Sequence, residues 1–309
     1  MKQVAYVFPG QGSQSKGMLA ELAQSNPEVL ETFEEASEVL GYDLWDLVQN
    51  DEDGSLNQTH ITQPALLTAS VAIYRVLAAK YDAPAYMAGH SLGEYSALVC
   101  AGVLDFKEAV SLVQSRGLYM QSAVPEGEGA MYAIIGLADD KIQAICEQVA
   151  ADTSQVISPV NYNSPGQVVI AGNTKAAELA AQQCKEAGAK RALPLAVSAP
   201  SHCALMKPAA AKLEDVLNDI SFSPSEISIV NNVDVSIESD SAAIKDALVR
   251  QLYCPVQWTR SVEQLIEKGV TQFVEVGPGK VLSGLIKRVD KTVKICAANT
   301  PDSVTLEFE

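Results

Sequence analysis

The segment Gly89-His90-Ser91-Leu92-Gly93 follows the short apolar run Tyr86-Met87-Ala88 and precedes an apolar stretch with helical spacing. A G-x-S-x-G segment between a strand and a helix is typical of a sharp turn that exposes the serine, with glycines where a Cβ atom would clash. The N-terminus of the following helix directs partial positive charge at this turn. The segment therefore predicts an α/β fold with Ser91 as a nucleophile, although the same string also occurs by chance.

Strand and helix patterns alternate along most of the chain, which indicates a mostly parallel sheet. Residues 126–196 follow a different order, β-α-β-β-α-β, which is that of a ferredoxin-like unit. We therefore expect a large α/β unit of residues 1–125 and 197–309 and an inserted ferredoxin-like unit of residues 126–196. A helix is expected over about 65–80, and the tail beyond Pro301 is expected to be loosely held.

The composition restricts the function. The chain has 309 residues, 48% hydrophobic and 19% charged, which is typical of soluble globular proteins. A net charge of −16 disfavours nucleic acid as a partner. Three histidines and six cysteines without CxxC spacing predict no metal site. We find no apolar run long enough for a membrane span and no signal-peptide core, so we expect a cytoplasmic protein without membrane contact.

A nucleophilic serine needs a base, and histidine is the usual one. Only His60, His90 and His202 are available. His90 adjoins Ser91 on the turn and would point away from it, and His60 lies in a polar segment that we interpret as a loop. His202 lies where the chain leaves the inserted unit, at a seam where pockets are common. His202 is therefore the predicted base, and a packing or capping histidine is the alternative.

Arg116 lies on the apolar face of a predicted helix, together with Ala109, Leu112, Val113 and Met120. An arginine on such a face keeps its charge and needs an anionic partner. That partner is either an internal carboxylate, which makes Arg116 structural, or an anionic substrate held by the guanidinium fork.

Two backbone donors are needed to stabilise an oxyanion next to Ser91. The N–H group of Leu92, directly after the nucleophile, supplies one. The loop Gly10-Gln11-Gly12 after the first strand is the candidate for the second, because its glycines permit close approach of the backbone. The alternative is an ordinary strand-to-helix turn.

Several longer motifs occur along the chain from the N-terminus to about residue 290. They are FPGQGSQ (8–14), TQPAL (62–66), GHSLGEYSAL (89–98), QSRG (114–117), NYNSPGQVVIAG (161–172), SAPSH (198–202), QLYCPVQW (251–258) and EVGPGKVL (275–282). With these motifs the chain resembles the malonyl-CoA:acyl carrier protein transacylases of bacterial fatty acid synthesis. The resemblance implies an α/β-hydrolase-like core with a ferredoxin-like insertion.

The resemblance also implies a role for each matching residue. Ser91 would be the acylated nucleophile and His202 the base, oriented by a main-chain carbonyl at Gln251. The remaining positions would be Gln11 and Leu92 as oxyanion donors, Arg116 as the clamp on the malonyl carboxylate, and Gln63 and Asn161 as pocket-lining residues. The partners would be malonyl-CoA and acyl carrier protein, with no bound cofactor, and we expect a monomer.

Three other functions stay open at this stage. A hydrolase uses the same G-x-S-x-G turn, but its base usually lies nearer the chain end, and Arg116 favours a charged acyl group. A non-catalytic carrier-protein scaffold would not need Ser91, His202 and Arg116 together. A transferase of another acyl group is the third possibility, and Ser201 beside the base gives no signal for methylmalonyl.

The basic pairs Lys190-Arg191 and Lys287-Arg288 are candidate docking points for an acidic carrier protein, with a solvated surface as the alternative.

Overall fold

The computed structural model describes residues 3–197 and 199–306. Residues 1–2 and 307–309, at the ends of the predicted large unit, and Ser198 of the SAPSH motif lie outside the described residues. The strands are β1 (Gln3–Phe8), β2 (Tyr86–Gly89), β3 (Gly129–Ile135), β4 (Ile157–Ser164), β5 (Gln167–Asn173), β6 (Arg191–Pro194), β7 (Ser228–Val230), β8 (Val270–Val276) and β9 (Lys294–Ala298).

Helices pack on both faces of the larger sheet and on one face of the smaller sheet. They are α1 (Ala20–Ala23), α2 (Pro27–Leu40), α3 (Leu44–Asn50), α4 (Thr59–Ala78), α5 (Leu92–Cys100), α6 (Phe106–Ser122), α7 (Asp139–Thr153), α8 (Thr174–Glu186), α9 (Lys207–Asn218), α10 (Ser241–Gln251), α11 (Trp258–Glu267) and α12 (Val281–Val289). Two short 3₁₀ turns, Ser55–Asn57 and Ala204–Met206, precede α4 and α9.

The larger sheet has five strands in the order β7-β2-β1-β8-β9, and every pair is parallel. Side chains of β1 alternate between its two faces: Tyr6 and Phe8 pack with α2, α4, α5 and α6, whereas Ala5 and Val7 pack with α11 and α12. Both faces are therefore buried, as a parallel sheet requires. The carboxyl ends of β1, β2 and β7 lie side by side, which brings three loops to one edge.

The smaller sheet has four antiparallel strands in the order β4-β5-β3-β6. Helices α7 and α8 cover one face and form a core of their own with Ile134, Val168 and Ile170. The other face packs Met131 and Val169 against Cys203, which is next to His202. The predicted β-α-β-β-α-β order and the mostly parallel main sheet are confirmed.

Helix α4 differs from its prediction. It begins at Thr59, so Pro64 lies inside the helix and His60 lies in its first turn and not in a loop. The polar residues Thr59, Thr62 and Gln63 of its first two turns are buried. Among the described residues α4 has the length and hydropathy of a membrane span, yet 78% of that window is buried in the protein, as in a core helix.

The tail beyond Pro301 also differs from its prediction. Val304 and Leu306 are buried against the main core. The Leu306 N–H group donates a hydrogen bond to the Tyr81 hydroxyl at 2.7 Å. Apolar burial and a backbone hydrogen bond therefore hold the described part of this tail in place.

Candidate active site

Ser91 occupies the turn between β2 and α5 with a positive φ of 53° and ψ of −109°, which is outside the left-handed helical region. Such strain in a non-glycine residue persists only where the surroundings enforce it. The glycines on either side permit it: a Cβ atom at Gly89 would lie 1.8 Å from the Gly93 carbonyl carbon, and one at Gly93 would lie 1.9 Å from the Phe8 oxygen. The Ser91 N–H group donates to Asn232 Oδ1 at 2.7 Å, which fixes the turn.

His202 and Ser91 meet although 111 positions separate them: His202 Nε2 lies 2.8 Å from Ser91 Oγ. The other ring nitrogen, Nδ1, lies 2.6 Å from the main-chain oxygen of Gln251. Because a carbonyl only accepts, Nδ1 carries the proton of the neutral ring and Nε2 is the acceptor that faces Ser91. Burial, together with the nearby Arg116 charge, lowers the pKa of His202 to about 3, so the ring is neutral at pH 7.

The two other histidines have other partners. His90 Nε2 lies 2.8 Å from Asn163 Oδ1, and burial lowers the pKa of His90. His60 Nδ1 lies 3.1 Å from Gln121 Oε1. The structure thus brings together the serine and the histidine that the sequence selected.

Arg116 lies on the buried face of α6, as its spacing predicted, and is 1% exposed. Its Nη1 donates to Gln63 Oε1 at 2.8 Å, and its Nη2 donates to Gln251 Oε1 at 2.8 Å and to Ser91 Oγ at 3.3 Å. The guanidinium also lies 5.3 Å from the centre of the Tyr95 ring. No carboxylate forms an ion pair with Arg116 within residues 3–197 and 199–306. The internal ion pair considered from the sequence is therefore not observed, although the buried Glu94 carboxylate interacts with the Arg116 charge through space.

A cavity of about 120 Å³ joins these groups. Its polar lining consists of Gln11, Thr59, Gln63, His90, Ser91, Arg116, Asn161, Ser201 and His202, and its apolar lining of Leu92, Met120, Met131, Leu195, Val197 and Ala199. All predicted site residues except Gln251 line it, and Gln251 lies directly behind His202 and Arg116. Leu92 is the first residue of α5, so its N–H group has no partner within the helix.

Two buried polar residues at this site were not predicted from the sequence. Asn232, two residues after β7, accepts from Ser91 N and donates from Nδ2 to the Gly89 carbonyl at 2.6 Å. Glu94, in the first turn of α5, accepts at Oε2 from Gln251 Nε2 at 2.7 Å and from Asn232 N at 3.1 Å. The S-x-x-E spacing of Ser91 and Glu94 resembles a capping box and could have drawn attention to Glu94. The carboxylate does not accept from its own helix, however, but from Asn232 and Gln251, which are distant in sequence.

In the described part of the chain, no group of three or more His, Cys, Asp or Glu side chains is placed to hold a metal ion. The polar groups of the cavity are instead three hydroxyls, two imidazoles, side-chain amides and one guanidinium. Such a set suits nucleophilic chemistry on an acyl group with a negative charge.

A strand-turn-helix serine beside a neutral histidine and an arginine held by neutral acceptors is typical of an acyl-transferring α/β enzyme, and the acyl transferase domain model matches residues 5–308. The chain is 61% identical to the malonyl CoA-acyl carrier protein transacylase of Escherichia coli (strain K12), with 100% of each chain covered. It is 44% identical to the enzyme of that name from Bacillus subtilis (strain 168), over 100% of this chain and 97% of that one. The chain belongs to the malonyl CoA-acyl carrier protein transacylase family.

Solved structures agree with this assignment. An acyl carrier protein S-malonyltransferase from Vibrio cholerae O1 superimposes with a TM-score of 0.95 at 60% identity, covering 98% of this chain and 99% of that one. A malonyl-transacylase solved in complex with its type II PKS acyl-carrier protein superimposes with a TM-score of 0.96 at 61% identity, covering 98% of both chains.

Proposed function

We propose that this chain transfers a malonyl group from malonyl-CoA to the phosphopantetheine thiol of acyl carrier protein through a malonyl ester on Ser91. The observation that carries this proposal is the position of Arg116, whose guanidinium lies beside the Ser91 hydroxyl and donates to neutral acceptors among the described residues. The names of the full-length relatives support the same substrates.

In the first half-reaction, His202 Nε2 removes the proton from Ser91 Oγ while Oγ attacks the thioester carbonyl carbon. The carbonyl becomes a tetrahedral oxyanion, which the N–H groups of Gln11 and Leu92 stabilise. The C–S bond then breaks, the proton on His202 passes to the leaving sulfur, and coenzyme A departs as a thiol. Ser91 keeps the malonyl group as an ester.

In the second half-reaction, the carrier-protein thiol loses its proton to His202 and its sulfur attacks the ester carbonyl. The ester C–O bond breaks, and Ser91 Oγ recovers a proton from His202. The two transfers are thus of the ping-pong type and balance without a cofactor. Gln251 contributes its main-chain carbonyl, which holds His202 in the tautomer that both steps need.

Arg116 binds the malonyl carboxylate through its guanidinium in both half-reactions. Gln63 holds Nη1 from the far side and lines the cavity with Asn161, which is supplied by β4 of the smaller sheet. A carboxylate and a guanidinium form the strongest class of hydrogen-bonded pair, and burial strengthens it further. We therefore propose that this contact selects malonyl over uncharged acyl groups.

We also propose the division into a hydrolase-like unit of residues 1–125 and 197–309 and an inserted unit of residues 126–196. The separate cores of the two sheets support it. The proposed enzyme acts as a monomer without membrane contact, and it receives the carrier protein near Lys190-Arg191 or Lys287-Arg288.

Intact-mass analysis tests the proposed reaction. Incubation with malonyl-CoA is expected to add one malonyl group to the wild-type chain and none to Ser91→Ala. Addition of phosphopantetheinylated carrier protein is then expected to remove the group faster than water does. An undiminished adduct in Ser91→Ala would refute the nucleophile, and rapid hydrolysis with negligible transfer would identify a hydrolase instead.

A further inference from the structure

Glu94 is a buried carboxylate that the proposed mechanism does not use. It is 3% exposed, and its hydrogen-bond partners do not include the Ser91 hydroxyl or the Arg116 guanidinium. Its Oε2 instead accepts from Gln251 Nε2 and from the Asn232 backbone N–H group. Each of these two residues in turn contacts a different part of the site.

The first branch runs through the Gln251 side chain to Arg116. Glu94 Oε2 accepts from the Asn232 backbone N–H group, so it is an acceptor, and the Gln251 amide turns its Nε2 donors toward it. The amide oxygen then faces Arg116 Nη2 and accepts from it at 2.8 Å. If the amide were reversed, its donors would face the donors of the guanidinium, and the fork would lose one of its two amide acceptors.

The second branch runs through Asn232 to the Ser91 turn. Glu94 fixes the backbone of Asn232, whose side chain accepts from Ser91 N and donates to the Gly89 carbonyl. The Gln251 amide adds a hydrogen bond from Nε2 to the Ser91 carbonyl at 3.1 Å. The strained backbone of Ser91 is therefore held on both sides by groups that Glu94 orients.

We propose that Glu94 is a positioning residue that sets the direction of the hydrogen-bond chain to Arg116, and thereby the preference of the site for a carboxylate-bearing acyl group. This inference rests on the proposed function. Through the Arg116 branch Glu94 affects an acyl group that carries a carboxylate more strongly than one that does not, because only the carboxylate would bind the guanidinium. Through the Ser91 branch it affects every acyl donor equally. The ratio of two donors therefore separates the specific effect from a general loss of structure.

The test compares acylation of Ser91 by malonyl-CoA and by acetyl-CoA in Glu94→Met and Glu94→Gln. Methionine keeps the length of the side chain but offers no comparable acceptor, whereas glutamine keeps one amide oxygen that can accept both hydrogen bonds. Glu94→Met is expected to lower kcat/KM for malonyl-CoA by about 10- to 100-fold and to lower the malonyl-to-acetyl ratio by at least about fivefold. Glu94→Gln is expected to stay within about threefold of wild type for both donors.

Glu275 provides the matched control. It is also a buried glutamate that accepts backbone hydrogen bonds, from Leu282 N at 2.9 Å and Ser283 N at 2.7 Å, but it caps α12 and lines no part of the cavity. Glu275→Met is expected to lower the thermal unfolding midpoint without changing the donor ratio.

If Glu94→Met does not fold, Glu94→Asp is measured in its place. This substitution withdraws the carboxylate by one methylene, and the same fall in the malonyl-to-acetyl ratio is expected.

A malonyl-to-acetyl ratio that is unchanged in folded Glu94→Met or Glu94→Asp would overturn the inference. A ratio that falls equally in Glu94→Gln would also overturn it, because an acceptor at position 94 would then not be the requirement. Failure of the proposed function is seen separately, since the wild-type chain would then form no malonyl adduct on Ser91.

Discussion

Arg116 Nη2 lies 3.3 Å from Ser91 Oγ, so a buried cation and the proposed nucleophile share one cavity. The other acceptors of this guanidinium are the amide oxygens of Gln63 and Gln251, which carry no net charge. The same cation contributes to the low pKa of His202. Arg116 therefore contacts the proposed nucleophile, disfavours protonation of the proposed base, and carries the charge that we propose binds the acyl carboxylate.

Replacing Arg116 should change which acyl donor is preferred. Arg116→Ala removes a charge-assisted contact of about 3 kcal/mol, so kcat/KM for malonyl-CoA should fall by about 100-fold while acetyl-CoA is relatively favoured. Steady-state kinetics with both donors measure this change. Arg75→Ala is the control. Arg75 forms an ion pair with Glu35 at 2.7 Å and does not line the cavity, so this substitution should leave the donor ratio unchanged. An unchanged ratio in Arg116→Ala would remove the carboxylate clamp from the mechanism.

The protonation of His202 gives a second prediction. Burial and the Arg116 charge both disfavour the imidazolium, so His202 should remain neutral at pH 5, well below the usual histidine pKa of about 6.5. Selective ¹⁵N labelling of the three histidines, with NMR titration, reports this directly. Arg116→Gln removes the positive charge and should raise the His202 pKa. A wild-type midpoint near 6.5, or no rise in Arg116→Gln, would contradict the assigned cause.

The lowered His202 pKa also has a consequence for stability. The unfolded chain takes up this proton near pH 6.5 whereas the folded chain does so only near pH 3, so this histidine should make the fold less stable as the pH falls below about 6.5. The stability of His202→Gln should therefore depend less on pH between about 6 and 4 than that of the wild type. Urea unfolding at several pH values measures the difference, and parallel curves for the two proteins would argue against it.

The turn around Ser91 should not tolerate a side chain at Gly93. Because an added Cβ atom would lie 1.9 Å from the Phe8 oxygen in β1, Gly93→Ala should destabilise the fold by several kcal/mol or prevent folding. Gly284→Ala in α12 is the matched control, since a Cβ atom there meets none of the described residues within 4 Å, and it should be neutral or stabilising by up to about 1 kcal/mol. Thermal unfolding compares the two variants, and equal midpoints would show that the turn can relax.

Carrier-protein docking should depend on local positive charge, because the chain as a whole is acidic. Lys190 and Arg191 are exposed, as are Lys287 and Arg288. Reversing the charge of the pair that docks the carrier should raise its KM severalfold, more so at low salt, without slowing acylation by malonyl-CoA. Lys107→Glu, at an exposed lysine paired with Glu38, is the control. If neither pair changes the KM, the docking surface lies elsewhere.

Local patterns were sufficient to predict much of this molecule. The strand-turn-helix pattern predicted the Ser91 turn. The small number of histidines selected His202, and the helical spacing of apolar residues placed Arg116 on a buried face. The start of α4 was missed because its first turn buries polar residues, which a hydropathy pattern assigns to a loop. Glu94 was missed for another reason: its partner Gln251 is 157 positions away, and their contact depends on side-chain rotamers that no spacing rule encodes.

The hydrogen bond from His202 Nδ1 to the main-chain oxygen of Gln251 has an evolutionary consequence. A carboxylate in that position could be deleted by one codon change, whereas a peptide carbonyl is supplied by whichever amino acid occupies the site. Drift at position 251 can therefore disturb Arg116 and Glu94 but leaves the acceptor for the imidazole in place. A lineage can in this way change how Arg116 is held, and with it the acyl group that is accepted, while the proposed base keeps the acceptor that orients its ring.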